Sequence, residues 1–324
     1  MKRKTRFVCV SDTHGYTPSE AGFRLPAGDV LIHAGDLTNQ GSESELRKTI
    51  NWIAQADFEA KIVVAGNHDV TLDPPFYAAH GSGFQYQRPQ DPRECLQIVT
   101  KTNPSVVYLN HQAVVVRLTR ESGPRTIFKV FGSPFSPSSG TWAFGYQDSQ
   151  ARELWRQIPH DTDVLVTHTP PHSHCDSVAA GQPLGCAALR DALETVRPVL
   201  AVCGHVHGGR GYERVVWSEI PGRNSDIQVT RGQLPPVGSK KQNLVDLTGK
   251  RAPRIENEGC AGRIDMLDFE TQSETHRLDT VRRETCIVNA SIKATNHQKR
   301  IKFNPPIVVD IDLPVDSLTE SSRQ

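Results

Sequence analysis

Five short motifs concentrate the side chains best suited to hold metal ions: Asp12-x-His14, Gly35-Asp36, Gly66-Asn67-His68-Asp69, the lone His168, and Gly204-His205-x-His207. In an extended segment, residues two apart point to the same face, so a D-x-H or H-x-H pair can share one ion. Each motif alone is common. Together they place imidazole, carboxylate and carboxamide groups directly after apolar runs, where such groups are costly unless they are paired or bound to a cation. The donors are oxygen and nitrogen without thiolate, which suits Mn, Fe, Zn or Mg. Two such ions can acidify a shared water and clamp a phosphoryl group for in-line displacement. Two divalent cations would bring four positive charges and Asp12 and Asp36 return two, so a site holding both would remain cationic and suit an anionic ligand.

Something must carry these motifs to one place. The apolar runs at 7–10, 30–32, 62–65, 164–166 and 199–203 are short, rich in Val and Ile, and stop at the motifs. They read as buried strands. Helix-like segments at 44–55, 150–157 and 187–196 alternate with them. The alternation predicts an α/β fold with ligands at the carboxyl ends of the strands. Runs at 106–109, 113–118 and 126–131 suggest a second sheet packed on the first. The Pro/Ser/Gly-rich stretch 133–140 reads as a loop leading to Trp142 and Phe144, candidates for a pocket wall. From about 218 to 282 the chain turns polar and reads as a partly disordered surface insertion with a short strand at 264–269. Strands resume at 286–291 and 307–313. The expected organisation is one domain over 1–316 and a flexible tail at 317–324.

The chain has 324 residues and a formal net charge of +1. That balance gives no reason to expect a nucleic-acid surface. The seven cysteines are scattered and include no C-x-x-C pair, which reads as reduced thiols. No signal-peptide core or membrane-length apolar run is present, so the expected setting is the cytoplasm, with the nucleus left open. The sequon Asn289-Ala290-Ser291 then reads as unglycosylated. His33 reads as a supporting core histidine, His111 as part of a hairpin, and His172 and His174 as solvent-facing loop residues. Trp52 and Trp155 read as core.

The ordered series D-x-H, G-D, G-N-H-D, single His and G-H-x-H resembles the calcineurin-like metallophosphoesterase superfamily. Its phrasing at 28–36 and 65–69 is most similar to the metallophosphoesterase-domain proteins of animals and fungi, relatives of the class III cyclic-nucleotide phosphodiesterases. The resemblance implies a four-layer sandwich of two mixed sheets flanked by helices. It implies that Asp12, His14, Asp36 and His207 hold one ion and that Asp36, Asn67, His168 and His205 hold the other, manganese being favoured. His68 would face the substrate and protonate the leaving oxygen after attack by a hydroxide shared between the ions, and Asp69 would orient it or tune its charge. The implied substrate is a small phosphate ester, with a phosphodiester such as a cyclic nucleotide foremost. Trp142 could stack on a base, and Arg210 could make a bidentate contact with phosphate. A phosphomonoesterase or phosphatase, a non-catalytic scaffold on the same fold, and a nuclease remain as alternatives.

Overall fold

The computed structural model describes residues 1–85, 87–101, 103–177, 182–219, 224–236, 241–259, 282–294 and 302–316. The strand expected at 264–269 and the tail at 317–324 lie outside these residues.

One sheet has six strands. They are β1 (Lys2–Val10), β2 (Val30–Ala34), β3 (Ala60–Val64), β4 (Val106–Leu109), β13 (Asn243–Asp246) and β15 (Ile307–Pro314), in the order β13-β15-β1-β2-β3-β4. The other has seven: β5 (Gln112–Arg117), β6 (Ile127–Ser133), β9 (Val164–Thr167), β10 (Leu200–Cys203), β11 (Gly211–Val216), β12 (Gln228–Arg231) and β14 (Glu284–Asn289). Their order is β12-β11-β14-β10-β9-β6-β5. A two-residue pair, β7 (Ser136–Pro137) with β8 (Gly145–Tyr146), lies in and beyond the expected 133–140 loop. Strands β1 to β4 run parallel, as do β6, β9, β10 and β14. β15 is antiparallel to β1 in the first sheet, and β5 and β11 are antiparallel to β6 and β14 in the second, so both sheets are mixed.

Alternation along each strand builds three apolar layers. Phe7, Cys9, Ile32, Ile62, Val164, Val166, Leu200 and Val202 fill the space between the sheets. Val8, Val10, Leu31 and Val63 face outward and meet α2 (Glu43–Gln55) and α4 (Pro92–Lys101). Leu165, Ala201 and Ile287 face the other way, toward α5 (Asp148–Trp155) and α6 (Ala187–Val196). Burial on both faces explains why these strands read as unbroken apolar runs. The helices present one apolar stripe each, Leu46-Ile50-Ile53 on α2 and Leu189-Leu193-Val196 on α6. Ser42 and Glu45 close a capping box at the start of α2. Two shorter helices, α1 (Pro18–Ala21) and α3 (Pro74–His80), belong to loops beyond β1 and β3. The result is the expected helix–sheet–sheet–helix sandwich.

Three details depart from the expectations. The polar stretch 218–282 supplies two strands at sheet edges, β12 and β13, in its described part. β12 reads Gln-Val-Thr-Arg and is exposed at every position, so no apolar alternation marks it. His111 is not in a hairpin: β4 and β5 belong to different sheets, and Asn110-His111 crosses between them, with His111 at φ 55°. His174 is buried rather than solvent-facing, its Nδ1 2.9 Å from Glu213 Oε2. Burying that carboxylate is offset by His174 and by Arg231 at 3.0 Å.

Candidate metal centre

All five motifs lie at carboxyl ends of parallel strands: Asp12 and His14 after β1, Asp36 after β2, Asn67–Asp69 after β3, His168 after β9, and His205 and His207 after β10. The loops after β1 and β2 are zipped together, Asp12 N donating to Gly35 O and His14 N to Asp36 O, each at 3.0 Å. Asp12, His14, Asp36 and His205 all adopt left-handed φ values, between 45° and 65°. That conformation costs an L-residue about 1–2 kcal/mol, and its concentration here marks the strand ends as shaped for a task.

Three overlapping groups could each hold an ion: Asp12–His14–His207, His14–Asp36–His68 and Asp12–Asp36–His168, the candidate donor atoms of each lying within 4.8 Å of one another. His207 Nε2 is 3.3 Å from Asp12 Oδ1 and His14 Nε2 is 3.6 Å from Asp36 Oδ2. His168 Nε2 is 3.3 Å from Asp36 Oδ1 and 3.0 Å from Asn67 Oδ1. The groups share Asp12, His14 and Asp36, so two ions placed here would be neighbours.

The protonation pattern fits cations. His168 Nδ1 lies 2.9 Å from Ala34 O, a pure acceptor, so Nδ1 carries the proton and Nε2 the lone pair. That lone pair faces Asn67 Oδ1 and Asp36 Oδ1. Three acceptors aimed at one point repel unless a positive charge sits among them. Burial holds His14 down at about 2 and His168 at about 3, so both are neutral ligands at physiological pH. Burial and the charges of Asp12 and Asp69 push Asp36 well above the usual carboxylate range. Burial pushes Asp12 up too, but the hydrogen bond and charge of His207 outweigh it, and Asp12 lies well below that range. A bound cation would relieve the repulsion between the two carboxylates.

Glycines make this convergence possible. A Cβ on Gly35 would lie 2.3 Å from His168 Nδ1, one on Gly66 2.3 Å from Asp36 Oδ1, and one on Gly204 2.5 Å from Asp12 Oδ2. Each motif glycine thus leaves room for a donor from a different motif. Asp69 ties two loops, accepting from Leu37 N (3.1 Å), Gly66 N (2.8 Å), Thr38 N (2.9 Å) and Thr38 Oγ1 (2.7 Å). It does not hold the His68 ring: His68 Nδ1 lies 2.7 Å from Asn39 O, leaving Nε2 for the site.

Two supporting residues escaped sequence reasoning. Ser291 Oγ is 2.7 Å from Asp12 Oδ2, across 279 positions of chain. Asn289, fully buried, donates through Nδ2 to Cys175 O (2.9 Å) and Val206 O (2.8 Å) and accepts from Ser291 N (3.1 Å). It therefore braces the His205–His207 loop. The signal available in the sequence is the position of Asn289 and Ser291 at the end of β14, where they also form a sequon. His33 Nε2 lies 2.9 Å from Thr13 Oγ1, between Asp12 and His14, in keeping with a supporting histidine.

The remaining candidates sit at different distances from this centre. The His205 ring packs edge-on against His168 at 4.9 Å between centroids, and the His205 backbone N donates to Asp12 at 3.1 Å. Trp142 lies against His68, centroids 4.1 Å apart, and Phe84 extends the wall 5.4 Å further. Phe144 is only 3 % exposed and belongs to the core rather than to that wall. Arg210 donates through Nη1 to Ser291 O at 2.8 Å and through Nη2 to Pro305 O at 2.6 Å, so both terminal nitrogens are committed to backbone.

Residues 5–209 match the calcineurin-like phosphoesterase family, and the chain belongs to it. It is 38 % identical over 213 residues to metallophosphoesterase domain-containing protein 1 of Homo sapiens, a match covering 64 % of this chain and 62 % of the relative. The Mus musculus protein of the same name matches equally. A probable rhamnogalacturonate lyase C of Emericella nidulans is 42 % identical over 214 residues, covering 65 % of this chain but 18 % of that protein. The alignments thus span less than two thirds of each relative. Family membership and geometry together supply a centre whose overlapping groups could hold two neighbouring ions. Among the described residues, no helix is long and apolar enough to cross a membrane.

Proposed function

We propose that this chain hydrolyses small phosphodiesters with two divalent cations, manganese foremost, and that cyclic nucleotides are its leading substrate class. The observation that carries the reading is the convergence of carboxylate, imidazole and carboxamide side chains from five strand ends around the shared carboxylates Asp12 and Asp36. Asp12, His14, Asp36 and His207 would hold one ion, and Asp36, Asn67, His168 and His205 the other. Such ions supply an acidified water and neutralise charge on a phosphoryl group.

The chain's own residues then have separable tasks. His68 keeps one proton on Nδ1 against Asn39 O, so the proton given to a departing oxygen comes from Nε2. Burial lowers the His68 pKa, which makes its cation a stronger acid and reduces its population at neutral pH. Asp69 positions His68 through the two loops it ties, without touching the ring. Trp142 stacks behind His68 and offers a face to a base. A cytoplasmic setting belongs to the same reading, supported by the scattered cysteines; Cys9, Cys95, Cys175, Cys186, Cys203 and Cys286 are free and buried.

The test is metal content together with a substrate panel. Purified protein equilibrated with Mn²⁺ should retain two ions per chain and cleave a generic phosphodiester and cyclic nucleotides faster than a monoester or single-stranded oligonucleotides. Two bound ions with no hydrolysis of any ester would leave a scaffold. Absence of bound metal would remove the reading.

A further inference from the structure

The segment that follows β14 forms part of the rim of the centre. Ser291 pairs with Ser11 across the two sheets, and Ile292 N donates to Ser11 O at 2.9 Å. Lys293 pairs with Phe303, whose ring packs on Tyr16 at 4.9 Å. Ala294 N donates to Lys302 O at 2.8 Å and Asn304 N to Ile292 O at 2.7 Å, so the segment is extended. In an extended segment side chains alternate. Ser291 turns to Asp12, and Ile292 is fully buried in the apolar layer on the helix side. Lys293 therefore returns to the face that carries the Ser291 hydroxyl. Its charge acts on His14, Asp36 and His68. Arg210 pins the segment from below through Ser291 O and Pro305 O.

Other cations of the two sheets have acidic partners: Arg6 is bidentate to Asp310, Arg214 to Glu284, and Arg231 meets Glu213. No hydrogen bond or ion pair of Lys293 is found among the described residues. The ammonium of this half-buried lysine, beside a site that would already hold two cations, is repelled unless an anion enters.

We propose that Lys293, presented by this braced segment, is a substrate-binding residue whose ammonium engages a non-bridging oxygen of the phosphate ester. This rests on the phosphoesterase reading and adds a residue that the five motifs do not contain. An ammonium is a point donor on a flexible stem, suited to follow phosphate in more than one pose. It should favour the more highly charged ligand, so a monoester or inorganic phosphate should depend on it more than a monoanionic diester does.

The test compares wild type, Lys293→Met and Lys293→Arg, each loaded with Mn²⁺. Binding of inorganic phosphate is measured by calorimetry, beside KM and kcat for a diester and a monoester. Lys293→Met should keep both ions and weaken phosphate binding about tenfold, the loss of roughly one charge-assisted contact. KM should rise, more for the monoester, while kcat changes little. Lys293→Arg should stay within about threefold of wild type, since it keeps a cationic donor. Phosphate affinity and KM unchanged in Lys293→Met would overturn the assignment, as would metal-loaded wild type that binds no phosphate. If Lys293→Met fails to fold, Lys293→Arg with phosphate affinity and KM indistinguishable from a folded Lys293→Gln decides against it. If wild type binds phosphate yet hydrolyses nothing, the catalytic reading fails while the calorimetric comparison still judges Lys293.

Discussion

Replacing Gly204 by alanine isolates the demand that convergence makes on the backbone. The new Cβ would stand 2.0 Å from Ser11 Oγ and 2.5 Å from Asp12 Oδ2. Ser11 can rotate away, because among the described residues its hydroxyl is held by a single 3.4 Å contact, to Gly35 O. Asp12 cannot yield so freely: Oδ2 is fixed by Ser291 Oγ at 2.7 Å, and the carboxylate also accepts from His205 N at 3.1 Å. Moving that oxygen from 2.5 Å to an ordinary 3.4 Å contact needs a shift of about 0.9 Å. Ligand distances in a metal site tolerate only about 0.2 Å. Overpacking should cost the metal-free fold about 1–3 kcal/mol, and Mn²⁺ affinity should fall by about 10–100-fold or more. Urea unfolding in chelator measures the first and calorimetric Mn²⁺ titration the second. Gly83→Ala is the control, since nothing lies within 4 Å of its Cβ; it should change stability by no more than about 0.5 kcal/mol. Wild-type Mn²⁺ affinity and stoichiometry in Gly204→Ala would refute the claim that Asp12 is a closely positioned ligand.

Other perturbations separate the roles of neighbouring groups. His68→Gln should keep two ions by elemental analysis while kcat falls about 10²–10⁴-fold, the usual contribution of a positioned acid; loss of an ion instead would make His68 a ligand, as its place beside His14 and Asp36 permits. Asn289→Ala removes buried bonds to Cys175 O and Val206 O and should cost about 2–4 kcal/mol in urea unfolding; an unchanged midpoint would deny it the bracing role. Trp142→Ala should raise KM for a cyclic nucleotide but not for a small aryl phosphate, and equal effects on both would count against stacking. Glu213→Gln carries a pH signature. Burial pushes the Glu213 carboxyl up, but the hydrogen bond and charge of His174 outweigh it and leave the folded pKa below the ordinary 4.5. A depressed carboxylate contributes stability above its unfolded pKa and loses it as pH falls through the folded one. The variant should therefore be less stable by about 1–2 kcal/mol at pH 7, with the gap closing below about pH 4.5; a gap independent of pH would exclude the ionised pair.

Much of the fold was legible because burial on both faces leaves an unmistakable apolar run. The strands that end in Asp12, Asp36, Asn67, His168 and His205 could be placed from the chain alone, and the helix expected at 187–196 is observed over Ala187–Val196. Edge strands were not legible. β12 is exposed throughout and β13 has four residues, Asn-Leu-Val-Asp, so neither carries a period long enough to read. Asn110-His111 has the length of a hairpin turn, and only sheet membership reveals a crossing.

The sequence by itself determined the inventory of donors, their order, and the strand ends that carry them, because each of those is a local property of a few consecutive residues. It also placed glycines beside three of the motifs without saying what they clear space for. The tertiary structure decided the rest: that Asp12 is held by Ser291, that Asn289 braces the last histidine loop, that His174 is buried against Glu213, and that Arg210 spends its donors on carbonyls near Lys293. These contacts join positions between 39 and 279 residues apart. No local periodicity encodes such pairs, since they arise only when two sheets stack and bring their parallel strand ends to one rim.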